Sequence, residues 1–196
     1  MKKKTVFVIP GYRHRITQKP YRKLAKMLKK EGYSPILISI PWKQTTISEN
    51  TKLFLNKYKK IHARKKYILG FSFGAMIALL ASTKIRTSGL VLCSLSPYFK
   101  EDMKKITRIK SPAVTPKRRE DFSRLHAKTL AKQIKAGQIR MLYGEKEEKV
   151  LINRVLKTYT DISAKNKYLI PIQNTEHNIG DIRYLRTIDQ VARQLH

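Results

Sequence analysis

Six short apolar runs recur along the chain, and most are followed by a stretch whose apolar positions fall three or four residues apart. Thr5 to Ile9 is β-branched and apolar, the pattern of a buried strand. Thr17 or Gln18 opens a helix to about Glu31, with Pro20 in its first turn and Gly32 ending it. Tyr21, Leu24, Ala25 and Leu28 form its apolar stripe, and lysines and Arg22 cover the rest. Ser34 to Ile40 reads as a second strand, closed by Pro41-Trp42. A helix from about Ile47 to His62 would bury Phe54, Tyr58 and Ile61. Lys66 to Leu69 is the third strand. Phe73 to Thr83 is apolar nearly all round and should be a central, buried helix.

Ser88 to Ser94 is the fourth strand, and then the rhythm breaks. Residues 95 to about 116 hold Pro97, Pro112 and Pro116 and little periodicity. A basic amphipathic helix, about Lys117 to Lys135, follows with Phe122, Leu125, Leu130 and Ile134 inward. Gln138 to Tyr143 is the fifth strand. Glu147 to about Tyr159 is a helix on Val150, Leu151, Val155 and Leu156. Lys167 to Ile172 is the sixth strand, and Ile179 to Leu195 the last helix, with Ile182, Leu185, Ile188, Ala192 and Leu195 inward. Strands alternating with helices predict an α/β fold of three layers, α/β/α, around a mainly parallel six-stranded sheet. Such sheets carry their sites beyond the carboxyl ends of the strands, at the switch in strand order. The loops at 10–15, 41–45, 70–74, 95–102, 144–148 and 173–178 are therefore where chemistry is expected.

Composition changes this picture in two ways. The 196 residues suit one domain with a sizeable core. Against 43 Lys+Arg stand 13 Asp+Glu, a formal charge of +30. The first hundred residues hold only two acids, Glu31 and Glu49. The cations are spread over helix faces and form no tail, which fits an anionic partner or a globally basic proteome. The single cysteine, Cys93, excludes an intrachain disulfide and suits a reducing compartment. Met1-Lys2-Lys3-Lys4 resembles a signal n-region, but the apolar stretch behind it ends at Pro10-Gly11, too short for an h-region. No stretch reaches membrane-spanning length. A soluble, cytoplasmic protein is expected.

The third strand runs into Gly70-Phe71-Ser72-Phe73-Gly74, a G-x-S-x-G pattern between a strand and a helix. The bare pattern arises by chance in roughly one chain in twenty of this length, so its partners matter. A serine nucleophile needs a base, and the base needs an orienting acid. Of five histidines, only His14 and His177 fall on the loops above. His177 follows the sixth strand; His14 sits among arginines that oppose its protonated form. The fifth strand ends in Gly144-Glu145-Lys146-Glu147-Glu148, which places three of the 13 carboxylates together. Plain charge complementation of a helix start is the alternative role there. Glu101 and Asp102, after the fourth strand, are other available acids. An oxyanion needs two N–H donors. Phe73 supplies one, and the loop Pro10-Gly11-Tyr12 brings Tyr12 for the other unless it is only a tight turn. Trp42, Tyr98 and Phe99 are aromatic candidates for pocket walls. Arg13 and Arg15 are available to an acidic substrate group, with solvated surface as their plainer role.

With these residues in place the chain resembles a small α/β-hydrolase-superfamily member over nearly its whole length. It would start at the strand that usually comes third in that fold, without the first two. The resemblance implies the spatial strand order 2-1-3-4-5-6 and a serine hydrolase that cleaves an ester or thioester through an acyl-enzyme. Ser72 would be the nucleophile and His177 the base. The family's G-x-x-D stretch maps onto Gly144 to Glu147, making Glu147 the acid, with Glu145, Glu148 and Asp102 as alternatives. Tyr12 and Phe73 would form the oxyanion hole. The sequence departs from the family in having Glu for Asp, Glu176 before His177, and Pro10-Gly11 in the oxyanion loop. Residues 95–135 take the place of the family's variable cap and should set substrate choice. No cofactor or metal is implied. The expected partner is a small acyl substrate, to which an acidic group would be compatible. Two other readings stand beside this one. One is an acyltransferase on the same triad. The other is a non-catalytic module that binds nucleic acid or another polyanion through its basic surface, although no RNA-module signature is present.

Overall fold

A computed structural model describes residues 2–106 and 111–195. Positions 107–110 of the irregular 95–116 stretch lie outside the described residues. Strands β1 (Lys2–Ile9), β2 (Ser34–Leu37), β3 (Ala63–Phe71), β4 (Gly89–Cys93), β5 (Ile139–Gly144) and β6 (Lys167–Ile172) form one sheet. Its order is β2-β1-β3-β4-β5-β6, and every pairing is parallel. Helices α1 (Lys19–Lys30) and α8 (Ile182–Gln194) cover one face. Helices α2 (Ile47–Lys60), α3 (Phe73–Ser82) and α7 (Lys149–Asp161) cover the other.

The sheet's residues divide by alternation into two cores, the usual consequence of a two-residue period in strands. Val6, Val8, Leu69 and Val91 face α1 and α8; Phe7, Ile9, Ile68, Leu90 and Leu92 face α2 and α3. All ten residues of α3 are buried. It lies over β3 and β4 with no solvent face, as a helix apolar all round must. Helix α2 begins with a reciprocal capping box. The Thr46 hydroxyl accepts from the Glu49 N–H at 3.1 Å, and the Glu49 carboxylate accepts from the Thr46 N–H at 2.9 Å.

Several elements differ from the sequence expectation; β1 starts at Lys2, ahead of the expected Thr5, and β2 ends at Leu37, short of the expected Ile40. Strand β3 starts three residues early, pairing Lys65 and Lys66 with Lys4 and Thr5. Backbone pairing asks nothing of apolar side chains, so the charged half carried no signal. The helix expected over 117–135 is two helices, α5 (Pro116–Arg124) and α6 (Ala127–Lys132). Leu125 and His126 are extended between them, and the Glu101 carboxylate accepts from the Ala127 and Lys128 N–H groups at 3.1 and 3.3 Å. A cap from 26 residues upstream starts the new helix. In α7 the inward face is Leu151, Arg154, Val155 and Thr158, and Leu156 is exposed. In α8 the helix starts at its Asp181 cap, whose carboxylate accepts from the Arg183 N–H at 2.7 Å, and Ile182 is 55 % exposed. Ile179 is buried in the turn before it, outside the helical period. Between β4 and α5 lie one turn of 3-10 helix (Lys100–Asp102) and the short α4 (Met103–Ile106). No described helix is long and apolar enough to cross a membrane.

Candidate active site

Ser72 sits between the end of β3 and the first residue of α3, with φ 57° and ψ −118°. A non-glycine residue is strained there, and the surroundings must hold it. Its N–H is held by the Cys93 carbonyl at 2.9 Å, and its own carbonyl accepts from Ala75 and Met76. The flanking glycines are needed for space. A Cβ on Gly70 would lie 2.2 Å from the Gly74 carbonyl oxygen, and one on Gly74 would lie 2.2 Å from that of Ile9. The turn is therefore packed backbone to backbone against itself and against the end of β1.

The strand order reverses direction at β1 and β3, and the loop after β1 meets the serine turn there. The place where a Gly11 Cβ would sit is 3.3 Å from both the Ser72 Cβ and the His14 Nδ1. The Tyr12 and Phe73 rings lie 5.2 Å apart. Among the described residues the N–H groups of Tyr12 and Phe73 have no acceptor within the protein.

His177, in the loop between β6 and α8, places its Nε2 2.9 Å from the Ser72 Oγ. Its ring lies 4.9 Å from that of Phe71. On the other side its Nδ1 is 3.6 Å from the Glu147 Oε1, a distance just beyond a hydrogen bond. Glu147 is buried, and three groups fix it. The Ser94 hydroxyl donates to its Oε1 in a very short bond, the Gly144 N–H donates to the same oxygen at 3.2 Å, and the Glu147 N–H bonds the Gly144 carbonyl. With the Ser94 O–H pointing at Glu147, the Tyr184 hydroxyl donates to the Ser94 oxygen at 2.7 Å. The other carboxylate oxygen, Oε2, is buried without a partner among the described residues. The loops after β5 and β6 are knitted together beside it. Lys146 N–H bonds the Thr175 carbonyl, and a Gly144 Cβ would lie 2.1 Å from that same oxygen.

The other acids lie elsewhere. Glu145 and Glu148 are exposed, Glu148 at the rim of the cavity described below. Asp102 is buried but both its oxygens are taken by Arg154, at 2.8 and 2.6 Å. Glu101 is occupied by the start of α6. Burial raises its pKa, but the N–H groups of Glu101 itself, Ala127 and Lys128 outweigh that and hold it below the usual carboxylate range.

Two serines at the end of β4 carried no sequence signal. Ser94, at φ 50°, holds Glu147 as above. Ser96 is buried with its Oγ 3.0 Å from the Ser72 Oγ. If the Ser72 proton goes to His177, Ser96 donates to Ser72. Both serines lie at the fourth strand's carboxyl end, and that position was the one clue available. His14 is the second histidine of the site. Its Nδ1 is 2.9 Å from the Tyr21 hydroxyl, which also accepts the Gly11 N–H at 3.0 Å. Burial, and then the nearby His177, push its pKa below the ordinary value.

These groups open onto a cavity of about 380 Å³, lined among others by Tyr12, His14, Ser72, Ser96, Tyr98, Ala113 and His177. Of the three aromatic residues expected as walls, Tyr98 lines it. Trp42 does not line this cavity: it backs Tyr12 and Phe73 edge-on at 5.8 and 5.9 Å. Phe99 is core, 5.5 Å beneath the Arg154 guanidinium. Arg118, missed in the sequence, ties the 111–118 segment to this side. Its guanidinium donates to the carbonyls of Trp42, Thr45 and Ala113 and stacks 4.7 Å from the Tyr12 ring.

In sequence, neither a family model nor a curated protein matches the chain. In structure it matches many. The esterase Est1E from Butyrivibrio proteoclasticus with bound ferulic acid is 13 % identical, with a TM-score of 0.82 over 98 % of this chain and 88 % of that one. Mouse alpha/beta hydrolase domain-containing protein 10 is 13 % identical, at 0.81 over 97 % and 88 %. A monoacylglycerol lipase from Paleococcus ferrophilus is 17 % identical, at 0.72 over 98 % and 95 %. At these identities the likeness is one of fold.

Proposed function

From the α/β-hydrolase fold that this chain has, we propose that it is a serine hydrolase acting on a carboxylic ester or thioester through an acyl-enzyme. The observation that carries this reading is the Ser72 Oγ, strained at the strand tip and 2.9 Å from the His177 Nε2, with the buried Glu147 carboxylate behind the imidazole. Neighbours of the same fold include an esterase and a lipase, which supports the class of chemistry.

In this reading Ser72 attacks the acyl carbonyl carbon while His177 takes its proton. Glu147 keeps the Nδ1 proton facing it and stabilises the imidazolium that forms. The tetrahedral oxygen receives hydrogen bonds from the Tyr12 and Phe73 N–H groups, aimed where the negative charge develops. The carbon–leaving-group bond breaks, and His177 delivers its proton to the departing alkoxide or thiolate. A water then gives its proton to His177 and attacks the acyl-enzyme, releasing the acid and restoring the Ser72 hydroxyl. Ser96 donates to the Ser72 oxygen throughout and lowers the cost of its negative charge. The 95–135 segment acts as the cap, presenting Tyr98 and Ala113 to the substrate. The intracellular location expected from the lone Cys93 belongs to the same proposal.

A chain-length series of p-nitrophenyl esters and acyl thioesters tests this. Hydrolysis is expected for at least one length, with a rate that falls by a factor on the order of 10⁴ or more in Ser72→Ala and His177→Ala. Activity that survives Ser72→Ala would sink the assignment.

A further inference from the structure

A second cavity, of about 780 Å³, adjoins the first at His14, which lines both. Arg13, Arg15 and Lys43 lie on its walls with Ser39 and Trp42, and among the described residues no carboxylate does. Among the described residues none of these three cations takes part in an ion pair. Trp42 is nine-tenths buried, and its Nε1–H, itself closed off from solvent, has no acceptor among the described residues. Exposed cations on a strongly basic protein are ordinary. Three of them lining one concavity next to the serine's, with no described carboxylate among its lining and with the Arg13 guanidinium 5.3 Å from the Tyr12 ring at the boundary of the two, are not.

We propose that this cavity is a subsite for the anionic end of the substrate, a carboxylate or phosphate carried by the ester or thioester. Charge and hydrogen-bonding donors are both present for such a group: two guanidiniums suited to paired oxygens and an ammonium. The subsite lies on the Gly11 side of Ser72, since the Ser72 Cβ and the His14 Nδ1 flank the same point beside Gly11. One end of a substrate bound there would be anchored while its acyl carbon reaches the serine. The proposal takes its reacting end from the serine hydrolase reading, but anion binding in the cavity stands independently of it.

Trp42 is the only tryptophan in the chain, so its fluorescence reports this cavity without any turnover. Full-length protein is titrated at constant ionic strength with monomethyl glutarate, with methyl phosphate, and with neutral dimethyl glutarate. A saturable change is expected with one or both anions and none with the diester. The stronger anion identifies the preferred group. The triple variant Arg13→Gln/Arg15→Gln/Lys43→Gln should weaken that binding by roughly tenfold or more, at up to about fivefold per exposed cation. The control variant Lys57→Gln/Lys59→Gln/Lys60→Gln on α2 removes the same charge elsewhere and should change it less than twofold. An equal response to the diester, no response to either anion, or equal loss in both variants would overturn the subsite. A kinetic arm then uses p-nitrophenyl hemiglutarate against p-nitrophenyl pentanoate. A kcat/KM preference for the charged ester that the triple variant abolishes is expected. Binding without turnover of either ester would leave the subsite standing and count against the hydrolase reading instead.

Discussion

Glu147 carries the orienting role in this account because its surroundings leave it one task. It is buried, its Oε1 is held by Ser94 and Gly144, and it faces the His177 Nδ1. Glu147→Gln should lower kcat by roughly 10²–10⁴ through loss of the required tautomer and charge. Glu145→Gln and Glu148→Gln should leave kcat within about twofold, and steady-state kinetics on the three variants separates them. Ser94→Ala removes one bond to a buried carboxylate and should cost about 1–3 kcal/mol of stability, with kcat reduced on the order of tenfold. His14 makes a prediction about pH. Its folded pKa lies below the ordinary value of 6.5, from burial and then from His177. Above 6.5 both folded and unfolded chains hold it neutral, and its contribution is intact. As pH falls through 6.5 the unfolded chain takes up a proton that the fold resists, and stability declines. Melting curves from pH 8 to 5 should therefore show a smaller acid-side loss for His14→Gln, which keeps a neutral partner for Tyr21. An equal loss in both proteins would contradict this.

At the scale of elements, the turn between β3 and α3 is fixed by backbone contact. Gly70→Ala and Gly74→Ala each drive a Cβ to 2.2 Å from a carbonyl oxygen, so each should cost about 4 kcal/mol or prevent folding. Circular dichroism melts check it. The pair Asp102–Arg154 joins the turn before α4 to α7, both side chains almost fully buried. Asp102→Asn should destabilise by about 3–5 kcal/mol, because a buried guanidinium loses its counter-charge, while kcat of the folded fraction stays near the parent's. The parallel sheet and its order were legible because the strands are apolar and separated by helices of clear period. Ser72, His177 and Glu147 were legible because each follows a strand end, where loop chemistry concentrates. Other features depend on partners distant in sequence. The break between α5 and α6 answers to Glu101, the inward Arg154 to Asp102, and Arg118 to carbonyls more than seventy residues away as well as to nearby Ala113. Ser94 and Ser96 are short polar residues with no period to betray them. Trp42 had the aromatic character of a pocket wall, but only the packing of Tyr12 and Phe73 shows that it stands behind that wall.

The whole molecule carries +30 over 196 residues, spread across helix faces such as that of α1. Self-repulsion on this scale opposes compactness, and salt relieves it. Raising NaCl from 20 to 300 mM shortens the screening length from roughly 20 to about 6 Å and should raise the melting temperature by about 5 °C or more. Equal osmolality of a neutral solute should not do so. The alternative of a polyanion-binding module makes a separate demand: affinity for nucleic acid that falls steeply and linearly in log–log form with salt. Whether Ser72 is an activated nucleophile can be tested without knowledge of the substrate. Folded protein is treated with a fluorophosphonate, and the adduct is located by peptide mass spectrometry. One adduct per chain is expected, on Ser72, absent in Ser72→Ala and formed at least tenfold more slowly in His177→Ala. Folded protein that does not react, or that reacts equally well without Ser72, would contradict it.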